Sequence, residues 1–207
     1  MIVGYHVIFG AYGFWLPNDP RGSWSNFVGS WELFRYGAAT KTTERRSLAY
    51  RKHDHAQRLA AKNALSRPAV ALTGLQARAV AQGFAAYVER SRLAVWACAI
   101  LPDHVHLVVG RPRIDIKQLV IQLKGAATES LIKQGIHPFG AMRDGPGRIP
   151  KCFARGQWKV YLDLEDVPRA VRYVEDNPLK EGKKRQVWSF VVLPGHRALR
   201  FEDSRRG

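Results

Sequence analysis

The sequence predicts an α+β fold, a sheet carrying helices on one face in an arrangement compatible with a ferredoxin-like sandwich. Three observations predict it. Short runs of strand composition alternate along the chain with helical stretches. Two of those runs, residues 93–100 and 104–109, are separated only by the turn-like Leu101, Pro102 and Asp103, so they pair as a hairpin in the middle. On either side of that hairpin, apolar residues recur at helical spacing.

Residues 5–9, β-branched and aromatic, open the chain as a strand, and the Gly, Pro, Asn and Trp-rich stretch 10–30 reads as a loop. From residue 42 to 65 the composition turns helical and strongly basic, with Arg45, Arg46, Arg51, Lys52, Arg58 and Lys62, until Pro68 closes it. Thr73 and Gln76 form a capping box, after which Val80, Phe84, Tyr87 and Val88 mark a helix ending near Ser91. Ile116, Leu119, Leu123, Ala127 and Leu131 outline an amphipathic helix that stops at Gly135, with Lys117, Lys124 and Lys133 on or near its other face. Residues 137–156 read as loop and 158–162 as a strand. A last helix spans 166–177, capped by Asp166 and stopped by Pro178. The expected organisation is one domain over residues 1–180, with a basic helical insertion at about 42–68, followed by a basic tail, 181–207, to which no role is assigned.

An apolar fraction of 46% in 207 residues supplies a packed core and excludes a chain disordered throughout. Lys and Arg number 33 against 17 Asp and Glu, and the resulting charge of +16 points to a polyanionic partner. Aromatics interleaved with the basic residues favour nucleic acid, although charge does not choose between DNA and RNA. The N-terminus lacks a basic segment followed by an apolar one, and the longest apolar run, 93–101, is too short to span a bilayer. A soluble, unexported protein is expected. Cys98 and Cys152 lie far apart without metal-type spacing and read as buried free thiols, which fits a reducing cytoplasm.

On a strand, side chains alternate with period two, so the imidazoles of His104 and His106 leave the same face while Val105 points into the core. Their Cα atoms then sit ~7 Å apart, close enough to share one ion. A bare His-x-His is more commonly a pair that packs or hydrogen-bonds, and that alternative stands. His53, Asp54 and His55 repeat the formal spacing in a helix-like stretch, where residues two apart do not face each other, and they read as solvated surface. Tyr173 and Asn177, four apart in the last helix, lie on one face beside the stripe Val167, Ala170, Val171 and Val174. Taken alone, Tyr173 is an amphipathic side chain covering core, and Asn177 a helix-ending residue before Pro178.

Taken together, the run Ile100, Leu101, Pro102, Asp103, His104, Val105, His106, Leu107 and the later run Arg172, Tyr173, Val174, Glu175, Asp176, Asn177, Pro178 resemble the signature of the single-tyrosine transposases of the HUH nuclease superfamily. The specific likeness is to the REP-associated tyrosine transposase branch. The opening residues Tyr5, His6, Val7, Ile8, Phe9 and the stretch Trp15, Leu16, Pro17, Asp19, Pro20, Arg21, Gly22 are similar to that group too, so the likeness spans most of residues 1–180.

The resemblance implies a ferredoxin-like sandwich with an antiparallel sheet, a divalent metal held by His104, His106 and Asn177, and a nucleophile at Tyr173. It further implies recognition of hairpin-bearing single-stranded DNA, cleavage to a 5′-phosphotyrosine and a free 3′-hydroxyl, and rejoining without ATP. Neutral ligands leave the ion's charge available to polarise a phosphate. Mg²⁺ is the expected ion by abundance, with Mn²⁺ an effective substitute at imidazole ligands. A phenol titrates near ~10 in water and is a weak nucleophile at neutral pH, so alignment and a nearby cation must activate it.

Single strands are gripped by phosphate neutralisation and base stacking, which makes Arg45, Arg46, Lys52, Lys117, Lys124, Arg155, Lys159, Trp15, Trp24 and Trp158 candidates as a group. Any one of them is equally well a solvated cation or a core aromatic. A monomer is expected, with a homodimer as the alternative, acting in the cytoplasm and on the nucleoid when bound to DNA. Three rival readings remain: a replication-initiator or relaxase-type nickase, a catalytically silent hairpin-binding protein, and an RNA-binding module. If the basic surface engages single-stranded DNA, log affinity falls linearly with log salt at about −0.7 per phosphate neutralised. A fluorescence-anisotropy salt titration checks this, and a flat dependence would contradict it.

Overall fold

The computed structural model describes residues 1–17, 19, 31–37 and 54–194. Its elements run β1 (Gly4–Gly10), α1 (Trp31–Phe34), α2 (His55–Asn63), α3 (Gly74–Ser91), β2 (Val95–Ile100), β3 (His104–Gly110), α4 (Ile116–Lys133), β4 (Trp158–Leu162) and α5 (Asp166–Lys180). The four strands form one sheet in the order β2-β3-β1-β4, with every neighbouring pair antiparallel. In both β1-α3-β2 and β3-α4-β4 the helix returns the chain past one intervening strand, which is the split βαβ plan of the ferredoxin-like sandwich.

Local chemistry sets the helix starts. Thr73 Oγ1 accepts from the Gln76 amide at 3.2 Å and Gln76 Oε1 accepts from the Thr73 amide at 2.9 Å, closing the capping box that opens α3. Asp115 caps α4 by accepting from the Lys117 amide at 2.8 Å, and Asp54 caps α2 through the Gln57 amide at 2.9 Å. Residue 53 and the earlier part of the basic stretch from 42 lie outside the described residues. His55 is exposed at the first turn of α2, and Arg58 pairs with the fully buried Asp19 at 3.4 Å, tying the N-terminal loop to that helix.

Alternation divides the strands between two cores. Val7 and Phe9 of β1 and Val105, Leu107 and Val109 of β3 face α3 and α4, meeting Val80, Phe84, Leu119, Leu123 and Leu131. Ala97, Ala99 and Val108 face the other way, where Val167, Ala170 and Val174 of α5 cover them. The sheet therefore carries helices on both faces: the expected single helical layer holds for α3 and α4, and α5 adds a layer opposite. The apolar stripe of α5 needs a second apolar surface, and the small Ala97 and Ala99 provide one.

Two boundaries of α5 differ from the sequence reading. The N-cap is Glu165, and Asp163 accepts from the Asp166 amide at 2.9 Å, so Asp166 already lies inside the helix. Pro178 does not end α5; it sits buried in its last turn. The stop comes at Gly182, whose φ of 66° allows the Lys183 amide to reach Pro178 O at 2.9 Å and the Gly182 amide to reach Leu179 O at 3.0 Å. Beyond it the chain packs back on the sheet. Gln186 Oε1 accepts from the Ile100 amide at 2.7 Å and its Nε2 donates to Ile100 O at 2.8 Å, while Val191 bridges to Val95 and Phe190 enters the main core. That segment covers the otherwise open edge of β2.

At Gly83, α3 and α4 approach so closely that an added Cβ would lie 2.4 Å from Ala126 O. Gly83→Ala raises helix propensity by about 1 kcal/mol but overpacks the crossing by about 1–3 kcal/mol. The expected net result is a melting temperature several degrees lower by circular dichroism; an unchanged or higher one would contradict the close crossing.

Candidate functional site

The site grows from the register of β1 on β3. Ile8 lies opposite His106, Gly10 opposite His104 and His6 opposite Val108, so His6 shares the α5 face with both histidines of β3. His6 Nε2 and His106 Nδ1 are 3.0 Å apart with their rings stacked at 5.3 Å, and the His104 and His106 rings meet edge-on at 4.8 Å. His104 Nδ1 is 2.7 Å from Asp103 Oδ1. Each imidazole of the pair thus has its Nδ1 held by a neighbour, which leaves Nε2 as the nitrogen not committed to those contacts. Gly10 makes room on the other side of His104: a Cβ there would sit 2.6 Å from the Phe14 ring, which stacks on His104 at 4.6 Å.

α5 delivers the phenol. Tyr173 sits at the edge of the buried stripe, 39% exposed, with its ring 5.8 Å from His106 and 5.7 Å from His6. From two turns further on, Lys180 returns along the helix to place Nζ 4.0 Å from the centre of the Tyr173 ring. One turn after Tyr173, Asn177 is buried and its Nδ2 has no hydrogen-bond partner. Amide oxygen and nitrogen are assigned by their partners, so this orphan position suits a carbonyl oxygen turned to a cation as well as it suits the nitrogen.

Burial disfavours charge on these rings. It pulls the His6 pKa down to about 4. His106 is held well below the usual histidine range by burial first, then by the charges of His104, His6 and Lys180. Neutral imidazoles at physiological pH have lone pairs available for a metal. His104 and His106, on one face and each with a second partner already on Nδ1, therefore fit a divalent ion, with the buried amide of Asn177 as a further uncharged donor.

Among the described residues, one group of three His, Cys, Asp or Glu side chains brings ligand atoms within 4.8 Å of one another: Asp103, His104 and Glu181. It shares His104 with the expected set but replaces His106 and Asn177 by carboxylates. Asp103 is already spent on His104 Nδ1, and the exposed Glu181 pairs with Lys183 at 3.2 Å, so the imidazole pair is the better-prepared nucleus and Glu181 a carboxylate at its rim.

The candidate grips disperse. Arg45, Arg46, Lys52 and Trp24 lie outside the described residues, as does His53. Lys117 and Arg155 are exposed. Lys124 donates to Ala154 O at 2.9 Å and Gly156 O at 2.6 Å and lies 5.1 Å from the Phe9 ring, and burial lowers its pKa to about 8; this cation ties α4 to the loop before β4. Lys159 lies over Tyr161 at 5.3 Å, Trp15 packs on Phe14 at 5.0 Å, and the half-buried Trp158 stands opposite Ile8. Both cysteines are buried and free, with burial raising their pKa, that of Cys152 to about 11. No helix among the described residues is long and apolar enough to cross a membrane.

Sequence reasoning missed His6, Lys180 and Asp103 as members of this site. Period two on the first strand makes His6 co-facial with some neighbour, but which one depends on a register that local sequence does not carry. Asp103 adjoins His104 in sequence, and that adjacency was the available signal.

No protein-family profile and no curated protein matches the sequence. Among solved structures, the chain is similar to a REP-associated tyrosine transposase bound to a REP hairpin, at 13% identity and a TM-score of 0.46 over 92% of this chain and 76% of that one. It is also similar to a provisionally assigned transposase from Deinococcus radiodurans R1, at 12% identity and a TM-score of 0.37 over 89% and 93%. At such values neither likeness supports an inference about activity.

The orphan amide gives a direct stability test. Leu matches the branched shape of Asn and removes a buried unsatisfied group that costs about 1–3 kcal/mol. Asn177→Leu is therefore expected to raise the melting temperature of the metal-free protein by a few degrees. A fall in melting temperature would mean the amide has a partner that stabilises the fold.

Proposed function

We propose that this chain is a metal-dependent single-stranded DNA endonuclease and strand transferase of the HUH tyrosine type, acting on hairpin-bearing DNA. The observation that carries the reading is the meeting of Tyr173 with His6 and His106 at ring distances of 5.7 and 5.8 Å, on the sheet face that also holds His104. Local sequence places the tyrosine and the histidines in different elements, and the fold supports the reading by bringing them to one point. The residue pattern shared with REP-associated tyrosine transposases supports it independently, as does the charge of +16.

His104 and His106 would hold the ion, with Asn177 completing the neutral set. When bound, such an ion polarises the phosphate and offsets the charge that develops on its non-bridging oxygens. Asp103 and His6 act through the rings, fixing the tautomer and orientation of His104 and His106. Partial exposure of Tyr173 lets its Oη reach a phosphodiester from solvent. The Oη–P bond forms as the P–O3′ bond breaks. The phenolic proton is given up and the departing 3′-oxygen gains one, leaving a 5′-phosphotyrosine and a 3′-hydroxyl, and attack by another 3′-hydroxyl reverses the step. The phosphotyrosyl bond keeps the energy of the broken linkage, so no nucleotide cofactor is needed. The proposed unit is a monomer.

Phe at position 173 keeps the ring and its packing. Tyr173→Phe should melt within a few degrees of the wild type, bind hairpin DNA with similar affinity and form no covalent adduct on denaturing gels. An adduct mapped by mass spectrometry to any other residue would sink the assignment. His104→Ala and His106→Ala should each remove Mg²⁺- or Mn²⁺-dependent cleavage and weaken Mn²⁺ binding by calorimetry, whereas His55→Ala should change neither. Equal loss from His55→Ala would refute the distinction between strand and helix geometry.

A further inference from the structure

An open groove of about 450 Å³ runs along the outer face of α5, lined by Glu165, Arg169, Arg172, Tyr173, Asp176 and Lys180 with Pro168. These positions recur at helical spacing, so the groove is the solvent face of the helix whose other face is packed on the sheet. Of its two acidic members, Glu165 stands at the N-terminal end of α5 and Asp176, nearer the phenol, is engaged, as are two carboxylates just outside the groove. Asp176 is hydrogen-bonded to Arg185, Asp166 takes Arg169, and the neighbouring Glu181 pairs with Lys183. Arg172 and Lys180 make no ion pair among the described residues, so two uncompensated cations flank the exposed phenol.

We propose that Lys180 is a catalytic residue, the cation that receives the charge of the phosphate attacked by Tyr173, and that the α5 groove, with Arg172 on an adjacent phosphate, seats the single strand being cut. This rests on the functional reading above. A phosphodiester within reach of Tyr173 Oη lies beside the same ring that Lys180 already approaches at 4.0 Å. Helical side chains lean toward the N-terminus, which is why a lysine two turns past the tyrosine can reach it. An ammonium group presents three rotatable donors as a point charge and suits a phosphate whose geometry changes during attack. None of the candidate grips chosen from sequence lies in this groove.

The test compares wild type, Lys180→Met and Lys180→Arg on one hairpin oligonucleotide with a single-stranded flank, in two versions: a normal cleavage phosphate and a methylphosphonate there, which lacks the anionic oxygen. Without metal, Lys180→Met should lower the log-log salt slope of binding by about 0.7 on the normal strand and leave it unchanged on the methylphosphonate. With Mn²⁺ and saturating normal strand, the single-turnover rate of adduct formation should fall about 100-fold, and Lys180→Arg should recover most of it. Mn²⁺ affinity of the free protein should not fall below that of the wild type, because loss of a nearby cation does not weaken binding of another. A Lys180→Met enzyme that cleaves at the wild-type rate overturns the proposal while leaving Tyr173 as nucleophile. So does a salt-slope change that persists on the methylphosphonate, which would place the lysine on the phenol or on another phosphate. A wild-type protein that forms no adduct at Tyr173 overturns the functional reading and this proposal with it.

Discussion

At the centre of the sheet β1 and β3 run antiparallel with Ile8 against His106 and Gly10 against His104, and the candidate site depends on that pairing. A slip of one residue would turn His104 and His106 toward Phe84 and Leu119 and bring Val105 and Leu107 out beneath α5. Val105, Leu107 and Val109 make such a slip costly, because all three would leave the main core that they share with Val7 and Phe9. Packing on one face thus fixes chemistry on the other. The same register carries His6 to His106 and lets Phe14, admitted by Gly10, lie flat on His104.

α5 converts that sheet face into a site. Val167, Ala170 and Val174 bury against Ala97, Ala99 and Val108, where small side chains on β2 let the helix axis come close. Tyr173 stands just off this stripe, which keeps it near the imidazoles and still in contact with solvent. Pro178 forgoes one backbone donor in the last turn, and the Gly182 reversal then satisfies the terminal carbonyls. The chain past that reversal is bound to the edge of β2 through Gln186 and Val192, so the C-terminal end of α5 is fastened at the point where Lys180 projects.

Polar groups are distributed unequally between the two faces of α5. Toward the sheet lie uncharged donors, His6 and His106, and an amide left without a partner. Toward solvent lie Arg169, Arg172 and Lys180. An unsatisfied buried amide stabilises nothing in the free protein. Tyr173 lies on the line between the two environments.

The sequence by itself determined whatever depends on contacts a few residues long. The Thr73 and Gln76 capping box, the stripe from Ile116 to Leu131, the alternation that makes His104 and His106 co-facial, and the pairing of Tyr173 with Asn177 along one helix all follow from periods of 2.0 and 3.6. What only the tertiary structure decided is which faces meet. That α5 takes the sheet face opposite α3 and α4 depends on the combined apolar area of two surfaces remote in sequence. That Pro178 is tolerated depends on a reversal four residues later, and that Lys124 serves the loop at 154–156 depends on where that loop passes. His6 joins His106 across a hundred residues because sheet register, a property of two strands and the core beneath them, is written in neither strand alone.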